Sequence, residues 1–192
     1  MENLRKLIKL ESEYPVSDRI IDIFLSQADI IPFKRNEKIF AENEISANIW
    51  IVKEGIVRLC GIDQGKDKTY AFGLPGTICM SKHSMVKNQP STLRMEACCP
   101  TVMMKVPKES VVKLMEEEPE FAIWLVYLAW EELYYQEKKN VTVSNGSAID
   151  RLRTLYVERP ELIRSVNQKH IASYLDITCE YYTRIKKKLL KQ

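Results

Sequence analysis

The stretch "QKHIASYLDITCEYYTRIKKKL" (168–189) decides how the chain folds at this end, because two short helical patterns flank a turn. Asn167 can cap the first helix and Thr178 can cap the second. Asp176 lies between them, where a tight turn needs a residue that tolerates left-handed backbone geometry. Ala172 is small and lies four residues before Asp176, where two helices would cross closely. The spacing therefore predicts a helix-turn-helix unit.

The second helix of this unit has two different faces. Apolar residues at Tyr182, Ile185 and Leu189 predict the buried face. On the opposite face, Arg184 can donate two hydrogen bonds to a guanine edge, and Glu180 can accept one from cytosine. The candidate DNA-binding residues are Gln168, Lys169, Thr178, Cys179, Glu180, Thr183, Arg184, Lys187 and Lys188. The same pattern also fits a solvated helical hairpin in an unrelated domain.

Charge is unevenly distributed between this end and the rest of the chain. Residues 147–192 hold ten Lys and Arg against five Asp and Glu, which gives +5. The remaining residues hold 19 basic and 21 acidic side chains, which gives −2. A basic module on a near-neutral body favours a polyanionic partner for that module.

Short β-rich segments fill the region between Pro32 and Pro107, and turn signals such as Glu54-Gly55 and Pro75-Gly76 separate them. Short strands at this spacing are typical of an antiparallel sandwich or a barrel-like roll. The segment before Pro32 has apolar residues at helical spacing, and Pro15 divides it into two predicted helices.

After Pro107 the periodicity is helical, and Pro119 begins a long second helix there. The segment "FAIWLVYLAW" (121–130) is apolar on every face, so it must be covered on two sides. The roll can cover one side, and a second copy of the helix the other, which predicts a twofold homodimer. A central helix within a monomer is the alternative. "VSNGS" (143–147) breaks the pattern and predicts a hinge.

These patterns divide the chain into three predicted parts. They are an effector-type roll with N-terminal helices (1–118), a dimerisation helix (119–142) and a DNA-binding domain (143–192).

Several classes of protein do not fit the sequence. The chain shows no leader sequence, and ten apolar residues are too few to span a membrane, so we expect a cytoplasmic protein without a membrane partner. Its five cysteines lack metal-binding spacing, which favours free, buried thiols and no metal site, although a redox-sensing thiol stays possible. With two histidines and no Ser/His/Asp constellation, we expect no catalytic residues and no enzyme.

The chain resembles the Crp–Fnr family of bacterial transcription regulators over nearly its whole length. "NIWIVKEGIVRLCGIDQGKDKTYAFGLPG" (48–76) resembles the family's strand, Glu-Gly turn and strand followed by a Gly loop. "QKHIASYLDITCEYYTRIKKKL" is similar to the family's helix-turn-helix, with Glu180, Thr183 and Arg184 at its Glu, Ser and Arg positions.

The resemblance implies a definite fold and definite partners. The fold is α+β: an N-terminal antiparallel β-roll like a cyclic-nucleotide-binding domain, a long dimerisation helix, and a C-terminal helix-turn-helix. The partners are a second copy, double-stranded DNA with a palindromic operator of two half-sites, and RNA polymerase. Family members commonly add a β-hairpin wing. Only three residues follow Leu189, so we expect most or all of the wing to be absent, with "KKKLLK" supplying charge instead.

The predicted effector end departs from the family. Cyclic-AMP-binding members carry a Gly-Glu pair and then an Arg that neutralises the cyclic phosphate. Here Thr77 stands at the Glu position, Ser91 at the Arg position, and Leu93 at a position that is small in the family. Losing the Arg–phosphate pair removes a charge-assisted contact, so we predict that cyclic AMP does not bind tightly. The candidate effector-pocket residues are Gly76, Thr77, Ser91, Thr92 and Gln136.

Other cofactors of the family are not expected either. The iron–sulfur branch uses an N-terminal cysteine cluster, whereas Cys60 is the first cysteine here. His83 is expected to be a solvated loop residue and His170 a surface residue, which argues against haem. No cofactor is therefore required and the effector is unknown.

An effector, a redox signal or a protein signal can shift how the dimer presents its recognition helices, or the dimer is constitutively competent. The alternative is a signalling module that senses another small molecule or docks a protein.

Overall fold

The computed structural model describes residues 1–145 and 147–189, without the side chains of residues 139, 140 and 142–145. The helices are α1 (Glu2–Leu10), α2 (Asp18–Ser26), α3 (Lys82–Lys87), α4 (Lys108–Glu117), α5 (Pro119–Asn145), α6 (Ala148–Glu158), α7 (Pro160–Ser165), α8 (Gln168–Tyr174) and α9 (Cys179–Leu189). The strands are β1 (Asp29–Phe33), β2 (Lys38–Phe40), β3 (Asn48–Glu54), β4 (Val57–Asp63), β5 (Lys66–Gly73), β6 (Ile78–Met80), β7 (Arg94–Ala97) and β8 (Thr101–Pro107).

The strands form two four-stranded antiparallel sheets, in the orders β1-β8-β3-β6 and β2-β7-β4-β5. Side chains from both sheets fill the space between them, among them Trp50, Val52, Val57, Met95 and Met103. Successive side chains of a strand point to opposite faces, and this inner face carries the apolar ones. The α+β class and the antiparallel roll predicted from the sequence are confirmed.

The N-terminal helices and the start of α5 share a second core beside the first sheet. Phe24 of α2 packs against Phe121 and Trp124 of α5, with ring centroids 5.2 and 5.8 Å apart. Aromatic pairs in these tilted arrangements add to the gain from area burial alone. One face of α5 is therefore anchored to the roll, as the apolar run predicted.

The long helix begins at Pro119, where the sequence predicted it, and continues to Asn145. Of the hinge predicted at 143–147, residues 143–145 are the helical end of α5, and Gly146 lies outside the described residues. Ser147 then caps α6, and its side chain accepts a hydrogen bond from the Asp150 backbone N–H. The domain boundaries proposed from the sequence stay predictions.

The C-terminal helices build a third core that also includes residues of the roll. Leu162, Ile171 and Tyr182 belong to the same apolar cluster as Ile56 and Phe72 of the roll. The helix-turn-helix is therefore packed onto the roll. Over the part of the chain that the structure describes, each helix is too short or too polar to cross a membrane.

Candidate DNA-binding surface and effector region

The turn between α8 and α9 has the geometry that the sequence predicted. Asp176 adopts a left-handed conformation with φ of 58°. The Ile177 backbone N–H donates to the Ala172 carbonyl over 3.0 Å, and Ala172 is 1% exposed. A larger side chain at Ala172 would push the two helices apart, so this spacing fixes the angle at which α9 leaves the turn.

Polar contacts order the first turn of α9. The Thr178 hydroxyl accepts a hydrogen bond from the Tyr181 backbone N–H over 3.2 Å, as an N-cap does. Hydrogen bonds from its own backbone N–H and from the Thr178 hydroxyl lower the pKa of Glu180. Glu180 is therefore a carboxylate at neutral pH, which can only accept hydrogen bonds.

The two faces of α9 agree with the pattern read from the sequence. Tyr182 and Ile185 are buried and Leu189 is half-buried. The exposed residues of this helix include Cys179, Glu180, Thr183, Arg184, Lys187 and Lys188. A helix that enters the major groove presents such a face to the base edges and phosphates.

Two side chains on the exposed face have intramolecular contacts. The Arg184 guanidinium carbon lies 4.8 Å from the centroid of the Tyr181 ring. This cation–π contact limits the rotamers of Arg184 while its donors stay exposed. The Thr183 hydroxyl donates to the Cys179 carbonyl over 2.9 Å, so its remaining lone pairs can only accept.

The start of α8 lies in the same unit and adds to the exposed polar surface. Asn167 caps α8 by accepting from the Lys169 backbone N–H over 3.1 Å. Gln168 and Lys169 are both exposed. A basic residue at a helix N-terminus suits contacts to a phosphate, which add affinity without sequence information. Of the predicted "KKKLLK" end, Leu190 and Lys191 lie outside the described residues.

His170 was expected at the surface, and this expectation is wrong. His170 is 7% exposed, and its Nδ1 lies 3.7 Å from Oδ2 of Asp67 in β5. Burial and the nearby Arg58 guanidinium lower the pKa of His170 to about 4. The imidazole is therefore neutral at pH 7. The sequence did not reveal this, because the covering strand is a hundred residues away in the chain. His83, by contrast, is exposed as expected, although it lies in α3 and not in a loop.

At the effector end, Gly76 and Thr77 lie beneath the N-terminal helix. Gly76 has φ of +99°, and a Cβ built on it would lie 2.8 Å from the carbonyl carbon of Leu7 in α1. Only a glycine allows this approach. The Thr77 hydroxyl accepts from the Leu74 backbone N–H over 3.1 Å, so it closes its own turn. Ser81, and not Thr77, caps the following helix α3.

Ser91 and Thr92 lie in the loop that leads into β7. Ser91 is 3% exposed, and its hydroxyl donates to the Leu93 carbonyl over 2.6 Å. Leu93 packs so closely on β4 that a Cβ at Gly61 would lie 2.7 Å from its Cδ2. Ser91 is thus used within its own loop, and Leu93 fills space beside it.

Gln136 lies on the exposed surface of α5. Its side-chain amide donates to Glu132 over 2.8 Å, and Glu132 also pairs with Lys82 of α3 over 2.6 Å. The five candidate effector-pocket residues therefore lie in three parts of the fold: the turn beneath α1, the loop before β7, and α5. Their role as a pocket stays a prediction.

We call residues 75–97, which match the phosphate-binding stretch of cyclic-AMP-binding members, the cassette. Two arginines in and beside it are engaged by carboxylates. Arg58 is 3% exposed and binds Glu96 over 2.6 Å and Asp67 over 2.7 Å. Arg94 pairs with Glu42 over 2.9 Å, and with Asp67 and Glu96. Several charges that share hydrogen bonds in this way keep one another ionised. Neither guanidinium is available for an anion unless this network breaks.

The cysteines divide into buried and accessible thiols. Burial raises the pKa of Cys60, Cys79 and Cys98 to about 12, so these thiols are not nucleophilic at neutral pH. Cys60 and Cys98 are buried, Cys79 and Cys99 are half-buried, and Cys179 is exposed on α9. Within residues 1–145 and 147–189, no group of three or more His, Cys, Asp or Glu residues could hold a metal ion.

Sequence reasoning missed the residues that join the helix-turn-helix to the roll. They include Arg35, Asp67, Lys68, Ser173 and Tyr174. No sequence pattern marks these residues, because each contact joins elements that are far apart in the chain.

Comparison with known proteins agrees with this architecture. Residues 30–118 match the model of the cyclic nucleotide-binding domain. The nitrogen fixation regulation protein FixK of Azorhizobium caulinodans is 22% identical over 165 residues. That match covers 79% of this chain and 65% of FixK, so the chain spans just under two thirds of the curated relative.

Solved structures show the same fold. FixK2 from Bradyrhizobium japonicum matches with a TM-score of 0.73 and 24% identity, over 86% of this chain and 85% of that one. The catabolite activator protein of Thermus thermophilus matches with a TM-score of 0.59 and 18% identity, over 93% and 85% of the two chains. The c-di-GMP responsive regulator CLP of Xanthomonas campestris matches with a TM-score of 0.70 and 14% identity, over 91% and 92%.

These relatives are regulatory proteins, which agrees with the expectation that the chain is not an enzyme. Residues 30–118 are therefore similar to a cyclic nucleotide-binding domain, and the order of roll, long helix and helix-turn-helix is similar to that of Crp–Fnr regulators.

Proposed function

We propose that the protein is a transcription regulator that binds DNA as a homodimer, with α9 as its recognition helix. The observation that carries this proposal is the burial pattern of α9. Tyr182 and Ile185 fix the helix to its own core, while Glu180, Thr183 and Arg184 stay exposed in one row. These are the side chains that can read base edges in the major groove.

The exposed face of α5 supports the homodimer. Ile123, Val126, Trp130 and Leu133 are 47, 44, 58 and 66% exposed. Their spacing alternates between three and four residues, which is the seam of a two-stranded coiled coil. A row of large apolar side chains at this spacing is costly in water and complementary to a copy of itself. Pairing along α5 would place two recognition helices about one helical turn of DNA apart.

We also propose that cyclic AMP does not control this regulator. Ser91 stands where the family resemblance places the phosphate-binding arginine, and its hydroxyl is used within its own loop. Arg58 and Arg94 already bind carboxylates. A cyclic phosphate would therefore enter without a charged partner, which costs far more than a neutral contact can offset. A different effector, a redox or protein signal, or the protein's own abundance would then set its activity. RNA polymerase would be the downstream partner.

Selection of bound duplexes from a random pool tests the central proposal. We expect the enriched sequences to share a palindrome with two half-sites. Arg184→Ala should weaken binding to that operator by about 100-fold or more, because one bidentate base contact is lost in each of the two half-sites. The weaker, salt-sensitive binding to unrelated DNA should change little.

Arg153→Ala is the matched control, because Arg153 is an exposed arginine of the same domain on α6, where it pairs with Asp150. We expect it to keep the operator preference. If no palindrome is enriched at moderate salt, the DNA-reading proposal is wrong. If Arg184→Ala keeps full selectivity, the assignment of the reading face is wrong.

Isothermal calorimetry with cyclic AMP and cyclic GMP tests the effector proposal. We expect no binding at micromolar concentrations of either nucleotide. Micromolar binding of cyclic AMP, followed by stronger operator binding, would contradict it.

A further inference from the structure

Strand β5 is the last strand of its sheet, and α8 lies against its open edge. The Thr69 backbone N–H donates to the Ser173 hydroxyl oxygen over 2.9 Å. The same hydroxyl donates to the Asp67 carbonyl over 3.1 Å. Residues 67 and 69 are two apart, so their backbone groups point to the same side of the strand. One serine hydroxyl thus supplies both the acceptor and the donor that a neighbouring strand would supply.

Further polar contacts surround this pair and join the same two parts of the molecule. Lys68, between the two bonded residues, forms an ion pair with Asp176 at the turn of the helix-turn-helix. Arg35 of the roll donates to the Cys98 carbonyl over 2.9 Å and to the Ser165 carbonyl of α7 over 3.2 Å. The roll is therefore held at three separate points of the C-terminal unit, two on the edge of β5 and one at Arg35.

Aromatic contacts connect this docking surface with the long helix. The Tyr174 ring packs against Phe72 of β5, with centroids 5.2 Å apart. The Tyr174 hydroxyl lies 2.7 Å from the hydroxyl of Tyr135 on α5. Tyr174 thus contacts both the roll and the proposed dimer helix. A change in the position of α8 would therefore alter both contacts.

The docked side of the unit is not the side that carries the DNA-reading residues. Ser173 and Asp176 face the roll, whereas Glu180, Thr183 and Arg184 are exposed on α9. Docking therefore leaves the reading face free. It fixes the direction of α9 relative to α5, and in a dimer built on α5 that direction sets the distance between the two recognition helices.

We infer that Ser173 is a positioning residue for DNA recognition, and that its bond to the edge of β5 sets the half-site spacing that the dimer accepts. The inference rests on the DNA-binding function proposed above. It assigns to the roll a role that needs no ligand, because the edge strand itself holds the helix-turn-helix in its DNA-binding position.

Hydrogen exchange tests the docking without DNA. In Ser173→Ala, the Thr69 amide should exchange about tenfold faster than in the parent protein, because its hydrogen-bond acceptor is lost. Amides of β3 and β8 should be unchanged, which shows that the roll is intact. Thr154→Ala removes a hydroxyl from an exposed position on α6 of the same domain and should leave Thr69 unchanged. Lys68→Ala weakens the same docking from the roll side, so the test survives if Ser173→Ala does not fold.

Gel shifts test the positioning. The operator is varied so that its half-sites move apart or together by one and two base pairs. We expect the parent protein to prefer one spacing by at least about tenfold. Ser173→Ala should lose most of that preference and keep its base preference within each half-site. Ser173→Thr keeps the hydroxyl and should restore the spacing preference.

The possible results separate the two proposals. Unchanged Thr69 exchange in both Ser173→Ala and Lys68→Ala would overturn the docking. Faster exchange with an unchanged spacing preference would overturn the positioning role and leave DNA binding standing. If the parent protein selects no operator, the proposed function fails together with the positioning role, whatever Thr69 does.

Discussion

The recognition helix and the cassette region use their polar side chains in opposite ways. On α9, Glu180 and Arg184 are exposed, and their local contacts with Thr178 and Tyr181 orient them while the side chains stay accessible to a partner. In the cassette, Ser91 and Arg94 are satisfied by neighbouring groups of the protein itself. A polar group that is already paired offers little to a ligand, because the existing bond must break first. The proposed DNA-binding end therefore keeps polar groups accessible to a partner, whereas the predicted effector end uses its polar groups for contacts within the protein.

The largest expected effect on operator affinity comes from the apolar row on α5. A substitution there tests whether DNA binding needs a dimer. Leu133→Glu places a charge in the proposed interface, where it would be desolvated without a partner. We expect a monomeric mass in sedimentation and a loss of operator affinity of at least about 100-fold, because both half-sites no longer bind together.

Leu10→Glu is the matched control for this change. Leu10 is 82% exposed at the end of α1, outside the seam. It should leave the mass and the affinity unchanged. A dimeric Leu133→Glu protein would show that the two long helices pair through another surface.

Substitution of Gly76 tests whether the N-terminal helix α1 covers the predicted effector region. Gly76→Ala forces a Cβ against the backbone of Leu7 at a positive φ, so we expect the free energy of unfolding to fall by about 3 kcal/mol. Gly65→Ala is the control, because Gly65 also has a positive φ but a Cβ there meets nothing within 4 Å. It should cost about 1 kcal/mol.

Urea unfolding of both variants measures the difference. Equal losses would show that α1 does not cover the Gly76 turn in solution, and the cassette would then be open to a ligand.

The buried His170 gives a smaller, pH-dependent effect at the junction of the two regions. Its pKa in the folded protein is about 4, below the ordinary value of 6.5, so the unfolded chain binds the proton more readily. Stability is therefore fully present above pH 6.5 and falls as the pH drops towards 4. Between pH 7.5 and 5 we expect a loss of about 2 kcal/mol from this residue.

His170→Gln should remove most of that pH dependence in urea unfolding at the two pH values. Arg58, Lys169, Asp67 and Glu96 surround the imidazole and stay in place in the variant. An equally steep loss in His170→Gln would assign the acid sensitivity to the carboxylates of the Arg58 network.

Local patterns predicted the helix-turn-helix and the long helix because each depends on neighbours in sequence. The small Ala172, the turn at Asp176 and the caps at Asn167 and Thr178 are all set within a few residues, and the structure contains each of them. The surface position expected for His170 was wrong, since its burial depends on β5, which is distant in the chain.

The order of roll, long helix and helix-turn-helix, and the residues of α9 that face outward, could be read from the sequence. These follow from hydrophobic periodicity and capping, which act over one or two helical turns. Three features follow from the packing of distant segments instead: Ser173 closes the edge of β5, Leu7 covers Gly76, and Arg58 and Arg94 are paired with carboxylates. The reason is physical: each of these contacts joins residues that are far apart in the chain, and whether a polar group is free or satisfied depends on which distant partner the fold brings to it.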